Sequence, residues 1–319
     1  MAQRAGGMIG RFLRFAARHG RACLVLGLVA GFALPDLAQA LKPALPPMVA
    51  ALVFLSALRI GARAAIGNLA EARGNLGLVL ALQGAVPLVL VAAFLPLGPA
   101  AGTVGLALVL AMSAPSISGG PAFTAMLGHD PAPAMRMLIL GTALLPLTVL
   151  PVFWLLPALG GPGGVVQAAL RLTLVIGVAT TAAFTLRRLT FPNPGPETIR
   201  ALDGAAAIAL AVIVIALMSA VGPALRTDPA VLAGWLALAF GINFGMQALS
   251  FGLHRATGRM ANAVPVSVIA GNRNIALFLV ALPAQVTDPV LIFIGCYQVP
   301  MYLTPVLLRR FYRAAPENG

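Results

Sequence analysis

The chain has 319 residues, is 60% hydrophobic and only 9% charged, and has a mean hydropathy of +0.96. A soluble domain carries about 25% charged residues, so this composition excludes a water-soluble fold and points to an integral membrane protein. The formal net charge of +13 is no nucleic-acid footprint, because the basic residues fall almost entirely between apolar runs and act there as a topology signal.

The chain opens on an arginine-rich stretch, RFLRFAARHGR from Arg11 to Arg21. It reads as a topology anchor for the first span, with an interfacial helix on anionic lipid as the alternative. The apolar run from Ala22 to Leu34, followed by Ala38-Gln39-Ala40, has the outline of a signal peptide. Because many more spans follow, it is read as a short first span. Runs of spanning length fall at about 22–40, 46–62, 76–98, 101–127, 132–158, 164–186, 200–222, 230–252, 262–283 and 288–308. Gly and Pro punctuate the connections, as in Leu97-Gly98-Pro99 and Gly160 to Gly164. Cys23 and Cys296 sit in apolar runs and make neither a disulfide framework nor a metal site.

With the N-terminus inside, seventeen basic residues fall on the inner side and two, Lys42 and Arg226, on the outer side. Arg171 and Arg273 lie within runs. This bias predicts ten transmembrane helices with both termini cytoplasmic. The expected location is the cytoplasmic (inner) membrane. Ten spans divide as five plus five about Gly160–Gly164, and an odd number per half turns the second half upside down. The expectation is an all-α inverted repeat whose spans four and nine are broken and cross near the membrane midplane.

Two stretches carry that expectation. Span four contains SAPSISGGPAFTAMLGHD from Ser113 to Asp130, broken by Pro115, Gly119, Gly120 and Pro121. Such a break exposes carbonyls from the helix before it and N–H groups from the helix after it, and Pro121 suits the restart. Ser116, Ser118 and Thr124 stand beside the break. Span nine contains SVIAGNRNIALFLVALP from Ser267 to Pro283, with Gly271, Asn272, Arg273 and Asn274 in its middle. An arginine at that depth costs about 2.5–3.5 kcal/mol by insertion scales. It is either a fixed cation that binds an anionic substrate or replaces a transported cation, or a structural group that satisfies broken-helix carbonyls or pairs with a buried acid. No carboxylate lies midway along a run to pair with it. Asn272 and Asn274 are ligands or caps of the half-helices. Gln83, Asn243 and Gln247 are intramembrane amides, either interhelical glue or ligands. Asp130, just before Pro131, is expected to cap the next helix, with a proton relay with His129 as the minor alternative.

These motifs resemble the bile acid:sodium symporter family, whose wider superfamily includes arsenite exporters and auxin efflux carriers. The resemblance covers most of the chain. Pro115 to Asp130 is similar to the family's proline-glycine-glycine motif, which also ends in an aspartate fifteen positions on. The span-nine motif, typically Ser-Ile-Glu-Val-Gly-Met-Gln-Asn, is matched at Ser267, Gly271 and Asn274. Gln83, four residues before Pro87, resembles a glutamine before a proline in the family's third span.

The resemblance implies one membrane transporter domain over 1–319. A core of about 76–158 and 230–308 would hold the crossing, and a panel of about 22–62 and 164–222 would move against it. It also implies small or amphipathic organic anions carried with sodium. The departures bear on the sodium. The family's span-nine glutamate falls on Ile269 and its glutamine on Arg273; the span-four sodium ligands fall on Gly120 and Pro121, and those of span five near Ala134 and Leu138. An apolar side chain cannot replace a carboxylate around a hard cation. The expected protein is therefore a transporter without a metal or cofactor, with Arg273 standing where sodium would sit. A sodium symporter that uses amides and carbonyls instead, and a sensor descended from a transporter, are the alternatives. The span-four cysteine of arsenite exporters is missing. No zinc helix, nucleophile elbow or nucleotide-binding lysine loop is present, so neither an enzyme nor an ATP-driven pump is expected.

Overall fold

A computed structural model describes residues 7–71, 73–94, 96–97 and 102–313. Arg4 and the Gly98–Pro99 turn lie outside the described residues. Among the described residues the chain is helical, with a single isolated β-bridge and no strand. Seven helices among the described residues are long and apolar enough to cross a membrane: Pro35–Ile60, Gly74–Phe94, Ala132–Trp154, Pro162–Thr190, Pro196–Thr227, Pro229–Ala256 and Ala284–Leu307. The protein is thus an all-α, multi-pass membrane protein.

The remaining runs are not straight spans. The first, expected at 22–40, stops at Ala33, and Pro35 opens the next helix at its first position, where the missing N–H costs nothing. Ala38 is fully buried in that second helix, and the Gln39 amide donates to the Ser219 carbonyl at 2.7 Å. The two interrupted runs appear as the helix Gly102–Ser113 followed by Gly120–Met126, and as Ala263–Gly271 followed by the 3₁₀ turns of Ile275–Val280. Asp130 Oδ1 accepts the Ala132 N–H at 2.9 Å at the start of the next helix. Gly160 and Gly161 turn the chain with φ of 70° and 99°, a region that favours glycine.

The chain forms two compact units, Met1–Ala65 with Leu174–Asp228, and Ile66–Thr173 with Pro229–Gly319. In the first, Met8–Arg18 and Gly20–Ala33 both pack on Pro196–Leu217. Gly204 lets the first of them approach so closely that a Cβ there would run into the Leu13 carbonyl, the small-residue device of membrane helix pairs. Arg14 pairs with Glu197 at 2.9 Å, and Arg59 pairs with Asp203. Met8, Ile9, Phe12 and Phe15 remain exposed on the first helix.

In the second unit all nine residues of Ala263–Gly271 are buried, as are eight from Gly105 through Ser113 of the preceding broken segment. The interrupted segments therefore form the unit's core. Val89, Leu147, Leu170, Leu249 and Leu253 are exposed around them, as a lipid-facing surface requires.

Candidate functional site

The two breaks meet. Ser116 and Arg273 pair as an antiparallel bridge, with the Asn274 N–H donating to the Pro115 carbonyl at 2.8 Å and the Ile117 N–H to the Asn272 carbonyl at 3.1 Å. This contact solves one problem and creates another. A broken helix orphans backbone groups at depth, where no water satisfies them. Pairing break with break covers some of them, but Asn274, once it donates to Pro115, no longer serves the Ala270 carbonyl four residues back.

Arg273 supplies the missing donors. Its Nε donates to the Ala270 carbonyl at 2.9 Å, its Nη1 to Ala114 at 3.1 Å and its Nη2 to Leu82 at 3.3 Å. Each acceptor has lost its helical partner for a reason legible in the chain. Ala114 follows the end of Gly102–Ser113 and precedes Pro115, which disfavours a helical conformation at 114. Leu82 lies in a π-helical turn over Ala81–Ala85, where the Val86 N–H reaches back to Ala81. That register turns Leu82 toward Pro87, which has no N–H to give. Arg273 is 2% exposed, and its guanidinium binds three segments of the chain together. Among the described residues no carboxylate pairs with it.

Asn272, 0% exposed, faces a different set of partners. Its Nδ2 donates to the Val268 carbonyl at 2.8 Å, and its Oδ1 lies 3.4 Å from Asn243 Nδ2 and 3.1 Å from the Thr304 hydroxyl. Asn243 also donates to the Gly271 carbonyl at 2.6 Å, an acceptor that Tyr297 shares through its hydroxyl at 2.5 Å. Gln247 donates to Asn243 Oδ1 at 2.7 Å and to Thr304 at 3.1 Å, and accepts from the Tyr312 hydroxyl at 3.0 Å. The amides are thus bonded to one another, to the Thr304 and Tyr312 hydroxyls and to main-chain carbonyls. Gly271 must be glycine for this, because a Cβ would collide with the Asn243 carbonyl and with Gln247.

The other expected residues fall into four groups. Gln83 is buried in the π-helical turn, and its Nε2 donates to the Gly141 carbonyl at 3.3 Å, away from the amide network. Ser267 and Ser116 are buried and bonded to nearby backbone, at Ala263 and Ile117. Ser118, Gly119 and Asn274 are half-buried, and no described group hydrogen-bonds the Asn274 side chain. Thr124 turns back on the Gly120 carbonyl at 3.0 Å.

The positions that the resemblance matches to sodium ligands in spans four, five and nine are apolar, and several lie close together. Ile269 and Ala134 belong to one buried cluster with Val79, Met137, Leu140 and Val266. Gly120 faces the same isoleucine, whose Cδ1 would lie 2.7 Å from a Cβ at 120; Pro121 is buried beside it in sequence.

Thr304, Tyr297 and Tyr312 were not expected in the site. Their signal was indirect: buried amides need partners, and these hydroxyls lie in the last apolar run and just beyond it. Neither a known family model nor a curated protein sequence matches this chain.

Proposed function

We propose that the protein is a secondary transporter for a small or amphipathic organic anion, organised like the bile acid:sodium symporters, with Arg273 as a built-in cation. In this reading the seven long helices, the helices Met8–Arg18 and Gly20–Ala33 counted together as one span, and the two broken segments make ten spans in an inverted repeat. The unit of Ile66–Thr173 and Pro229–Gly319 is the core, and the unit of Met1–Ala65 and Leu174–Asp228 is the panel. Both termini are placed in the cytoplasm, and the membrane is the inner one.

The observation that carries the reading is the set of three orphaned carbonyls around the Arg273 guanidinium. Main-chain carbonyls at a helix break are what a transporter offers to a coupling cation. Here a tethered cation takes them. It stays through the cycle, so the crossing keeps a positive charge without binding sodium. The guanidinium is too buried for substrate to touch. Its charge favours an anion nearby, while Asn274, Ser118 and Gly119, the half-buried groups beside the crossing, make the direct contacts.

The test is flux in proteoliposomes with taurocholate as the amphipathic anion probe. The reading expects uptake driven by its own gradient at the same rate in sodium and in choline. Uptake that requires sodium would instead support a symporter built from amides and carbonyls. No flux of this or any smaller organic anion would favour a sensor.

A further inference from the structure

The unit of Met1–Ala65 and Leu174–Asp228 holds a second concentration of charge, independent of the transport reading. The Pro35–Ile60 helix ends at Gly61, whose φ of 76° places it in the left-handed region. Arg187, near the end of Pro162–Thr190, donates from Nη1 to the carbonyls of Leu58 and Arg59 at 2.8 and 2.6 Å. It closes the helix end that the turn leaves open. A cavity of about 780 Å³ surrounds this joint. Ile60 and Phe184 form an apolar part of its wall; Arg63, Arg187, Arg188 and Asn193 form a polar part, and no carboxylate lines it. Neighbouring Arg59 is neutralised by Asp203. Arg63 and Arg188 are exposed and make no hydrogen bond or ion pair among the described residues.

We propose that this pocket binds the phosphate headgroup of an anionic phospholipid. Guanidinium groups match phosphate oxygens two by two, and three arginines line this cavity without an acid among its lining residues. The place selects a lipid over a soluble phosphate. Two apolar spans end at the pocket, so it lies where hydrocarbon gives way to headgroups, a depth at which basic pockets hold lipid phosphates. Leu186 and Leu189, on the same helix end as Arg187 and Arg188, are 40% and 77% exposed and offer apolar surface to acyl chains.

The test uses the purified full-length protein in neutral detergent. Dioleoyl phosphatidylglycerol or tetraoleoyl cardiolipin is added, with dioleoyl phosphatidylcholine as reference and glycerol 3-phosphate as the soluble headgroup. The anionic lipids should raise the unfolding midpoint by about 3 °C or more over phosphatidylcholine. The R63Q/R188Q variant should need roughly 10- to 30-fold more lipid for the same shift. R255Q/R259Q, which removes the same charge near the end of Pro229–Ala256, should respond like the parent protein. R63K/R188K should recover part of the response and guards against a folding defect. Equal loss in both glutamine variants would reduce the effect to general surface charge and overturn the proposal. So would the absence of any shift with either anionic lipid. A shift from glycerol 3-phosphate alone that equals the lipid shift would overturn the assignment to lipid.

Discussion

Asn272 and Arg273 leave the same broken helix into different surroundings. Asn272 enters a network in which every partner is uncharged and most are side chains: Asn243, Gln247, Thr304 and, through Gln247, Tyr312. Arg273 enters a cage of backbone carbonyls from three segments and meets no side-chain acceptor there. The amide side is self-contained; its donors and acceptors cancel. The arginine side keeps a net charge that only dipoles offset. A buried charge of that kind is costly unless each carbonyl it covers would otherwise be unpaired. Here the breaks that orphan Ala270 and Ala114, and the π-helical turn that orphans Leu82, also create the need for the guanidinium.

The contrast can be broken by mutation. The largest effect is expected from Arg273→Ala, which leaves three carbonyls without donors at about 1–3 kcal/mol each. A loss near 4 kcal/mol would lower the unfolding midpoint by roughly 10 °C in detergent. Arg273→Lys should restore less than half of that, because one ammonium cannot reproduce a planar fork that spans three acceptors. On the amide side, Asn243→Leu unpairs Gln247 and weakens the hold on Gly271, for about 2–3 kcal/mol in the same assay. Tyr297→Phe removes one of two donors to the Gly271 carbonyl and should cost about 1 kcal/mol. The smallest expected quantity is the coupling between Arg273→Ala and Asn243→Leu. If the two sides are independent, the double mutant departs from additivity by no more than about 0.5 kcal/mol. A coupling well above that would merge them into one network.

Part of this arrangement was legible in the sequence. Glycines and prolines within 113–130, and polar residues within 267–274, marked two broken segments, and the structure pairs those stretches directly. The intramembrane amides Asn243 and Gln247 could be picked out because an amide in an apolar run is conspicuous. Their hydroxyl partners could not. A threonine in an apolar run, such as Thr304, looks like ordinary packing until the amides it bonds are placed against it. The partners of Arg273 were hidden more deeply. A search for its counterion looks for a carboxylate, whereas its acceptors are main-chain carbonyls that no residue letter encodes. Only Pro87 gave a hint, since a proline inside a helix frees a carbonyl about one turn earlier. Hydropathy also misplaced the first boundary. It measures apolarity and does not register that Pro35 starts a new helix inside the run read at 22–40.

The central claim is that the Arg273 guanidinium occupies the place of a mobile cation. Its most direct test is the difference in unfolding midpoint between sodium chloride and choline chloride at equal ionic strength, measured for the parent protein and for I269E/R273Q. The account predicts no difference for the parent protein. For the double variant, which returns a carboxylate and an amide to the emptied site, it predicts stabilisation in sodium alone, about 2.7 kcal/mol at a hundredfold excess over the dissociation constant. A sodium-specific shift in the parent protein, or none in a folded double variant, would contradict it.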